Sequence, residues 1–351
     1  MRFMEREFLT IAKESLNELV DRLMETHQVI APVPRNDGVV FDVISSPKEM
    51  DLEYRGHTLL PPKRFFFPEK EILFVYKVKA DGVEIHDKLE ELKSLRQVII
   101  GIRPCDITGL LVLDKIFTRM FKDPYYIARR KNTLVIGLTC NEPAEYCFCV
   151  FTNSGPLLKE GFDLLLTDLG DRYLVEVGTE KGSNVVRFNP DIFSKAGERD
   201  LREREEIIRE VAERIKAQKL PDFTSLYDFM RRNFNSKIWE KYGRKCLACG
   251  KCNFTCPTCH CFDVFDDPDL SLKSGKRIRV WDSCHFISFT RVASGEIFRR
   301  ERTSRVKQRI YHKLCYSVDE IGIISCVGCG RCIDVCSAGI DVREVVRELE
   351  G

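Results

Sequence analysis

Apolar residues first recur at helical spacing and then give way to short β-branched runs, and this change of period predicts a mixed fold. Phe8, Ile11, Ala12, Leu16, Leu19, Val20 and Leu23 fall three or four apart, which predicts one amphipathic helix over residues 4–26. Pro32 and Pro34 stop any continuation. Short strands are predicted over Val39–Ile44 and Ile72–Val78. Between them, the prolines of Leu60-Pro61-Pro62-Lys63-Arg64-Phe65-Phe66-Phe67 predict an extended segment, whose phenylalanines pack against their own domain. Gln97–Ile102 is a buried strand leading into a helix over Ile107–Phe117, with Asp106 placed to cap it. Thr133–Leu138 is a second buried strand, and this alternation predicts an α/β domain with a partly parallel sheet. Leu164–Thr167 and Tyr173–Val177 follow, joined by a turn at Leu169-Gly170-Asp171.

Residues 198–219 are densely charged and helical, ended by Pro221, and form a bridge with a solvated face. Beyond residue 222 the periodicity becomes mainly helical, at Leu226–Phe234, Ser288–Arg300 and Val342–Glu350. The expectation is an α+β, multidomain chain. An α/β domain over residues 1–221 is followed by a mostly helical, ferredoxin-like domain over 222–351.

Composition changes this picture in one respect. Of 351 residues 44% are hydrophobic and 31% charged, as in an ordinary soluble protein, and a net charge of +2 gives no reason to propose nucleic acid as a partner. No apolar run is long enough for a membrane span, and the N-terminus shows no signal-peptide pattern, so the cytoplasm is expected. Sixteen cysteines, however, are far too many for a reducing compartment unless they hold metal.

Eight of them form two runs. Cys246, Cys249, Cys252 and Cys256, followed by Pro257, read C-x2-C-x2-C-x3-C-P, and Cys326, Cys329, Cys332 and Cys336 repeat the spacing 80 residues on. This is the ligand run of bacterial-type ferredoxins, in which three thiolates meet one [4Fe–4S] cube and the fourth crosses to the other. The pattern predicts one cluster on Cys246, Cys249, Cys252 and Cys336, and another on Cys256, Cys326, Cys329 and Cys332. Zinc is the rival, but it takes ligands in two pairs rather than in overlapping runs of four. Arg244, Lys245, Lys251 and Arg331 flank the ligands, either to offset cluster charge or to dock a partner.

Cys105 and Cys140 follow the two buried strands, and Cys147 and Cys149 form a C-x-C pair soon after. If those strands are neighbours, four thiols share one edge, enough for a third cluster or a zinc ion; the competing reading is four separate thiols. Cys259, Cys261, Cys284 and Cys315 are read as thiols lining the cluster domain, with a further metal site as the competing reading. His260 and His285 are read as neighbours of the ligands or surface residues rather than ligands. No G-x-G-x-x-G or G-x-x-x-x-G-K-[ST] loop is present, so no dinucleotide or flavin site is visible.

Leu60-Pro61-Pro62-Lys63-Arg64-Phe65-Phe66-Phe67, Pro104-Cys105-Asp106-Ile107, Glu145-Tyr146-Cys147-Phe148-Cys149, Trp281-Asp282-Ser283-Cys284 and both cysteine runs together resemble one family. It is the beta subunit of soluble archaeal NADP-linked nickel–iron hydrogenase (sulfhydrogenase), related to the A subunit of anaerobic sulfite reductase. The resemblance spans nearly the whole chain, departing at Cys336-Ser337, where the family has Cys-Pro. It implies an electron-transfer subunit of a cytoplasmic complex. One partner is a gamma-type subunit carrying FAD, a [2Fe–2S] centre and the NAD(P) site. The other is a catalytic subunit, of hydrogenase, sulfite reductase or electron-bifurcating type. Two other functions compete: a disulfide or sulfur reductase using a cluster and a reactive thiol such as Cys259 or Cys284, and a structural metal module.

Overall fold

The computed structural model describes residues 6–350. Twelve strands are present among them: β1 (Phe8–Ala12), β2 (Gln28–Arg35), β3 (Gly38–Val43), β4 (Lys70–Lys79), β5 (Gly82–Asp87), β6 (Gln97–Ile102), β7 (Thr133–Leu138), β8 (Leu164–Asp168), β9 (Arg172–Val177), β10 (Ser194–Lys195), β11 (Phe262–Pro268) and β12 (Ser274–Trp281). Eight of them make one mixed sheet in the order β10-β1-β9-β8-β7-β6-β2-β3, parallel from β2 through β8 and antiparallel at both flanks. Strand β6 is buried along its whole length because helices cover both faces. Its alternate residues serve different cores. Val98 and Ile100 pack with Leu16, Leu19 and Val20 of the helix Lys13–Met24, and Ile99 packs with Ile107, Leu110 and Leu113 of the helix Pro104–Thr118.

The first predicted helix divides in two. Phe8–Ala12 is a strand paired with β9 over five residues, and the helix begins only at Lys13. Leu9 and Ile11 alternate into the same core as Leu16, so this short apolar run satisfied both periods, and pairing with β9 decided between them. Residues 4 and 5 of the predicted span lie outside the described residues. Pro32 and Pro34, read as breakers, lie inside β2. Strand β6 pairs with β2 only as far as Ile30, and the Pro32 carbonyl accepts from Asp51 N at 2.8 Å on the side away from β3. The missing N–H groups therefore face a side without a partner strand. The Pro61-Pro62 segment closes into a short 3-10 turn, Pro62–Phe65, and buries Phe66 and Phe67 completely.

Larger differences lie between the cysteine runs. Instead of a mostly helical insert, residues 262–281 form the hairpin β11–β12, and Ser288–Arg300 holds only a 3-10 turn at Ile287–Thr290 and a small bridge between Arg291 and Ile297. Strand β12 pairs with β4, giving a second sheet in the order β11-β12-β4-β5. This sheet takes two strands from each side of residue 222. Its seam is charged: Arg279 is buried against Glu71 and Asp123. Helices Tyr227–Arg232, Ile238–Lys245, Arg302–Tyr311 and Val342–Glu350 supply the core around the cysteine runs, including Met230, Trp239, Tyr311 and Val346.

Candidate iron–sulfur sites

Each cysteine run wraps a tight turn before a one-turn helix, Lys251–Phe254 in the first and Arg331–Asp334 in the second. The two turns are near copies. Ala248 and Gly250 have φ of 54° and 76°, and Gly328 and Gly330 have 58° and 79°. The left-handed residue at the third position turns its own N–H back to the first thiol: Ala248 N donates to Cys246 Sγ at 3.3 Å. The first run pays a strain for Ala248 that Gly328 avoids in the second.

All eight run cysteines line a single cavity, together with Val306, Ile310, Arg309 and Lys313. Burial raises the Cys246 pKa, and the neighbouring thiols that add to the rise are Cys336 and Cys249. Burial likewise raises Cys332, and there the contributing thiols are Cys329, Cys326 and Cys256. The last cysteine of each run therefore stands beside the other run. Among the described residues no three Cys, His, Asp or Glu side chains close on a position for one metal ion. Thiols spread around a cavity suit the corners of a polynuclear cube better than a tetrahedral zinc, whose ligands must converge on one point.

The cavity is also supplied with buried positive charge. Arg309 donates to Cys252 O at 3.2 Å, and its Nε is buried without a partner. Lys313 donates to Thr258 Oγ1 at 2.7 Å, and Lys63 donates to Cys259 O at 2.7 Å while lying over the Trp281 ring. Burial opposes the Lys313 charge, yet Cys256 and Cys259 more than offset this and its pKa rises; at Lys63 burial prevails and lowers the pKa to about 8. Buried cations that bond only to carbonyls and hydroxyls cost several kcal/mol each unless something anionic faces them. An anionic cluster meets that need. Neither Arg309 nor Lys313 stood out in the sequence analysis, and Lys63 appeared there only within the Leu60–Phe67 motif. The signal was present: Arg305, Arg309 and Lys313 recur every four residues beside the buried stripe Val306, Ile310 and Leu314.

Of the four flanking cations expected, Lys251 lines the cavity at its exposed edge, and Lys245 and Arg244 lie outside it. Lys245 reaches Gly339 O, Lys251 donates to Ser337 Oγ at 3.0 Å, and Arg244 is exposed. Ser337 thus exchanges the usual proline for a hydrogen bond between the runs. Arg331 instead is fully buried and clasps Asp106 through two bonds of 2.6 and 2.7 Å. Asp106 is consequently not the helix cap. The helix starts one turn earlier, at Pro104, and Asp106 faces the second run. Gly109, on the next turn, admits Pro257 of the first run so closely that a Cβ there would lie 2.8 Å from it.

Strands β6 and β7 are parallel neighbours, and the segments after them bring Cys105 and Cys140 together with Cys147 and Cys149 around a second cavity. Val211 and Ile215 of the helix Glu198–Lys216 close it, so the charged bridge also buries an apolar edge. Arg103, buried over the Tyr54 ring, faces Cys140 and Cys105 with its Nε unpartnered. Four thiols and an unpaired buried cation make a donor set suited to an anionic metal–thiolate group. The two cavities adjoin: Cys329 lines both, and Phe148 N donates to Gly328 O at 2.7 Å.

The remaining cysteines line neither cavity. Cys315 is buried in the helical core, Cys259 stands beside Cys256, and Cys261 beside Cys284. His285 is buried with Nδ1 3.9 Å from Cys246 Sγ, and burial lowers its pKa to about 4. His260 is buried against His312 and Phe117.

Residues 245–340, which hold both runs and the hairpin between them, match the family of 4Fe-4S dicluster domains. Over 343 residues the chain is 37% identical to the protein named sulfhydrogenase 2 subunit beta of Pyrococcus furiosus, covering 97% of this chain and 98% of that one. The chain belongs to the family of sulfhydrogenase beta subunits, iron–sulfur proteins built around a 4Fe-4S dicluster domain.

Proposed function

We propose that this chain is an electron-relay subunit holding three [4Fe–4S] clusters. Cys246, Cys249, Cys252 and Cys336 hold the first, Cys256, Cys326, Cys329 and Cys332 the second, and Cys105, Cys140, Cys147 and Cys149 the third. Bound clusters of this kind take up and release single electrons. The chain's own residues define their order. Cys329 belongs to the walls of both the second and third sites, so these are neighbours. Cys249 is exposed beside the exposed Leu247, so the first site opens to the surface. Arg309, Lys313 and Arg103 offset the negative charge of thiolate-held clusters, which favours electron uptake.

The single observation that carries this reading is the shared wall: twelve cysteines line two cavities that meet at one of them. A relay needs terminal chemistry elsewhere. The family's organisation points to a partner binding FAD and NAD(P)H and to a catalytic partner. The relay reading predicts that the isolated, anaerobic chain accepts electrons from a low-potential dye but reduces no protons, sulfite or NADP+. It predicts turnover only after the partner subunits are added. Turnover by the isolated chain at the rate of the assembled complex would overturn it.

A further inference from the structure

The Cys261 and Cys284 thiols lie outside both cluster cavities but form a built pair of their own. Cys261 immediately precedes β11, and Cys284 follows β12 by three residues. Asp282 N donates to Cys261 O at 2.9 Å, closing the base of the hairpin and folding the segment after it back towards Cys261. The two thiols stand beside one another and shift each other's protonation. Asn253, 1% exposed, donates its amide to Cys284 Sγ at 3.1 Å. Cys284 is buried at 4% exposure, whereas Cys261 is only half-buried. Cys261 is thus the less enclosed of the two, and Cys284 is held in place by a buried amide. Exchange also requires a thiolate, and since the neighbouring Cys284 and burial make Cys261 hold its proton strongly, Cys284 must take that proton as Cys261 attacks.

We propose that Cys261 and Cys284 form a two-electron redox dithiol that exchanges with a small-molecule disulfide. Starting from the Cys284 thiolate, whose proton has gone to water, Cys261 attacks one sulfur of the external disulfide as its own proton passes to Cys284, and one thiolate leaves and takes a proton from water. Cys284 then attacks Cys261 Sγ, its proton goes to the second departing sulfur, and an internal disulfide forms. One external disulfide becomes two thiols as one dithiol becomes a disulfide. The neighbouring Cys261 and the hydrogen bond from Asn253 hold Cys284 below the ordinary thiol range, the state from which it takes the Cys261 proton. The site goes beyond the relay function and does not need it.

The test uses the full chain, purified anaerobically with its metal, exposed to oxidised glutathione, alkylated and digested without reduction. Iron is counted in the same sample. Lys273, Lys276, Arg277 and Arg279 separate the two cysteines, so trypsin leaves a disulfide as a cross-linked peptide pair. The expected result is that pair at full iron content, reversed by dithiothreitol. Cys284→Ser should leave a mixed glutathione disulfide at Cys261, and Cys261→Ser should leave Cys284 free. Alkylation of both thiols under the oxidant, with iron retained, would overturn the proposal and leave the relay untouched. A mixed glutathione disulfide at Cys284 in the Cys261→Ser variant, or none at Cys261 in the Cys284→Ser variant, would also overturn it.

Discussion

Asp106→Asn is the perturbation whose effect follows most directly from the structure. Asp106 and Arg331 are almost wholly buried and joined by two charge-assisted bonds, and Arg331 is held further by Thr58 O at 2.8 Å and Thr58 Oγ1 at 3.1 Å. Arg331 sits between two cysteines of the second run, and Asp106 follows Cys105. The pair therefore locks the second site to the third. The asparagine keeps the shape but leaves a guanidinium without its counter-charge, and breaking a buried pair in this way costs about 3–5 kcal/mol. Cys329 and Cys105 also face Arg331, so the loaded protein should lie towards the lower end. Anaerobic urea unfolding, followed by tryptophan fluorescence and by the visible absorbance of the clusters, should show a midpoint roughly 1 M or more below the parent. The double variant Asp106→Leu with Arg331→Met removes both charges and should recover most of the loss. A single variant within about 1 kcal/mol of the parent, or a double variant no better than the single, would refute the reasoning.

Arg309→Gln and Lys313→Met should each make the clusters harder to reduce, seen as a negative shift of midpoint in an anaerobic redox titration followed by electron paramagnetic resonance; an unchanged midpoint would separate these cations from the clusters. Gly330→Ala places a Cβ 2.6 Å from the Tyr146 backbone at a φ of 79°, so it should force the second run away from the Cys147 loop and lower the iron content, whereas normal iron content would contradict the close packing. His260 is held at a pKa of about 3 by burial, against 6.5 for the ordinary residue. From about pH 6.5 down towards 3 the unfolded chain binds a proton that the folded chain does not, so stability falls as pH falls. His260→Asn should reduce that slope by one proton, about 1.4 kcal/mol per pH unit, in unfolding midpoints measured across the range.

Much of the site was legible because a metal–thiolate motif is local. Three ligands of each run lie within seven residues, and the spacing itself carries the chemistry. The strands after which Cys105 and Cys140 follow were legible because a strand buried on both faces leaves an unbroken apolar run. What escaped notice depends on distant pairing. Strand β12 seeks β4 across some 200 residues, and its local signal, Ile278 and Val280 alternating with arginines before Trp281, is too short to stand against the helix expected in that insert. Phe8–Ala12 was misread for the same reason, its partner β9 lying more than 160 residues away. The buried cations escaped because an arginine or lysine on a helix is usually solvated, and only the fold shows that Arg309 and Lys313 face thiols.

Iron and acid-labile sulfide per chain, measured on anaerobically purified protein alongside zinc, test the central claim most directly. Three thiol-held cubes predict about twelve of each, falling to about eight in Cys147→Ser. About eight in the parent would return Cys105, Cys140, Cys147 and Cys149 to structural roles, and zinc without iron would contradict the electron-relay account altogether.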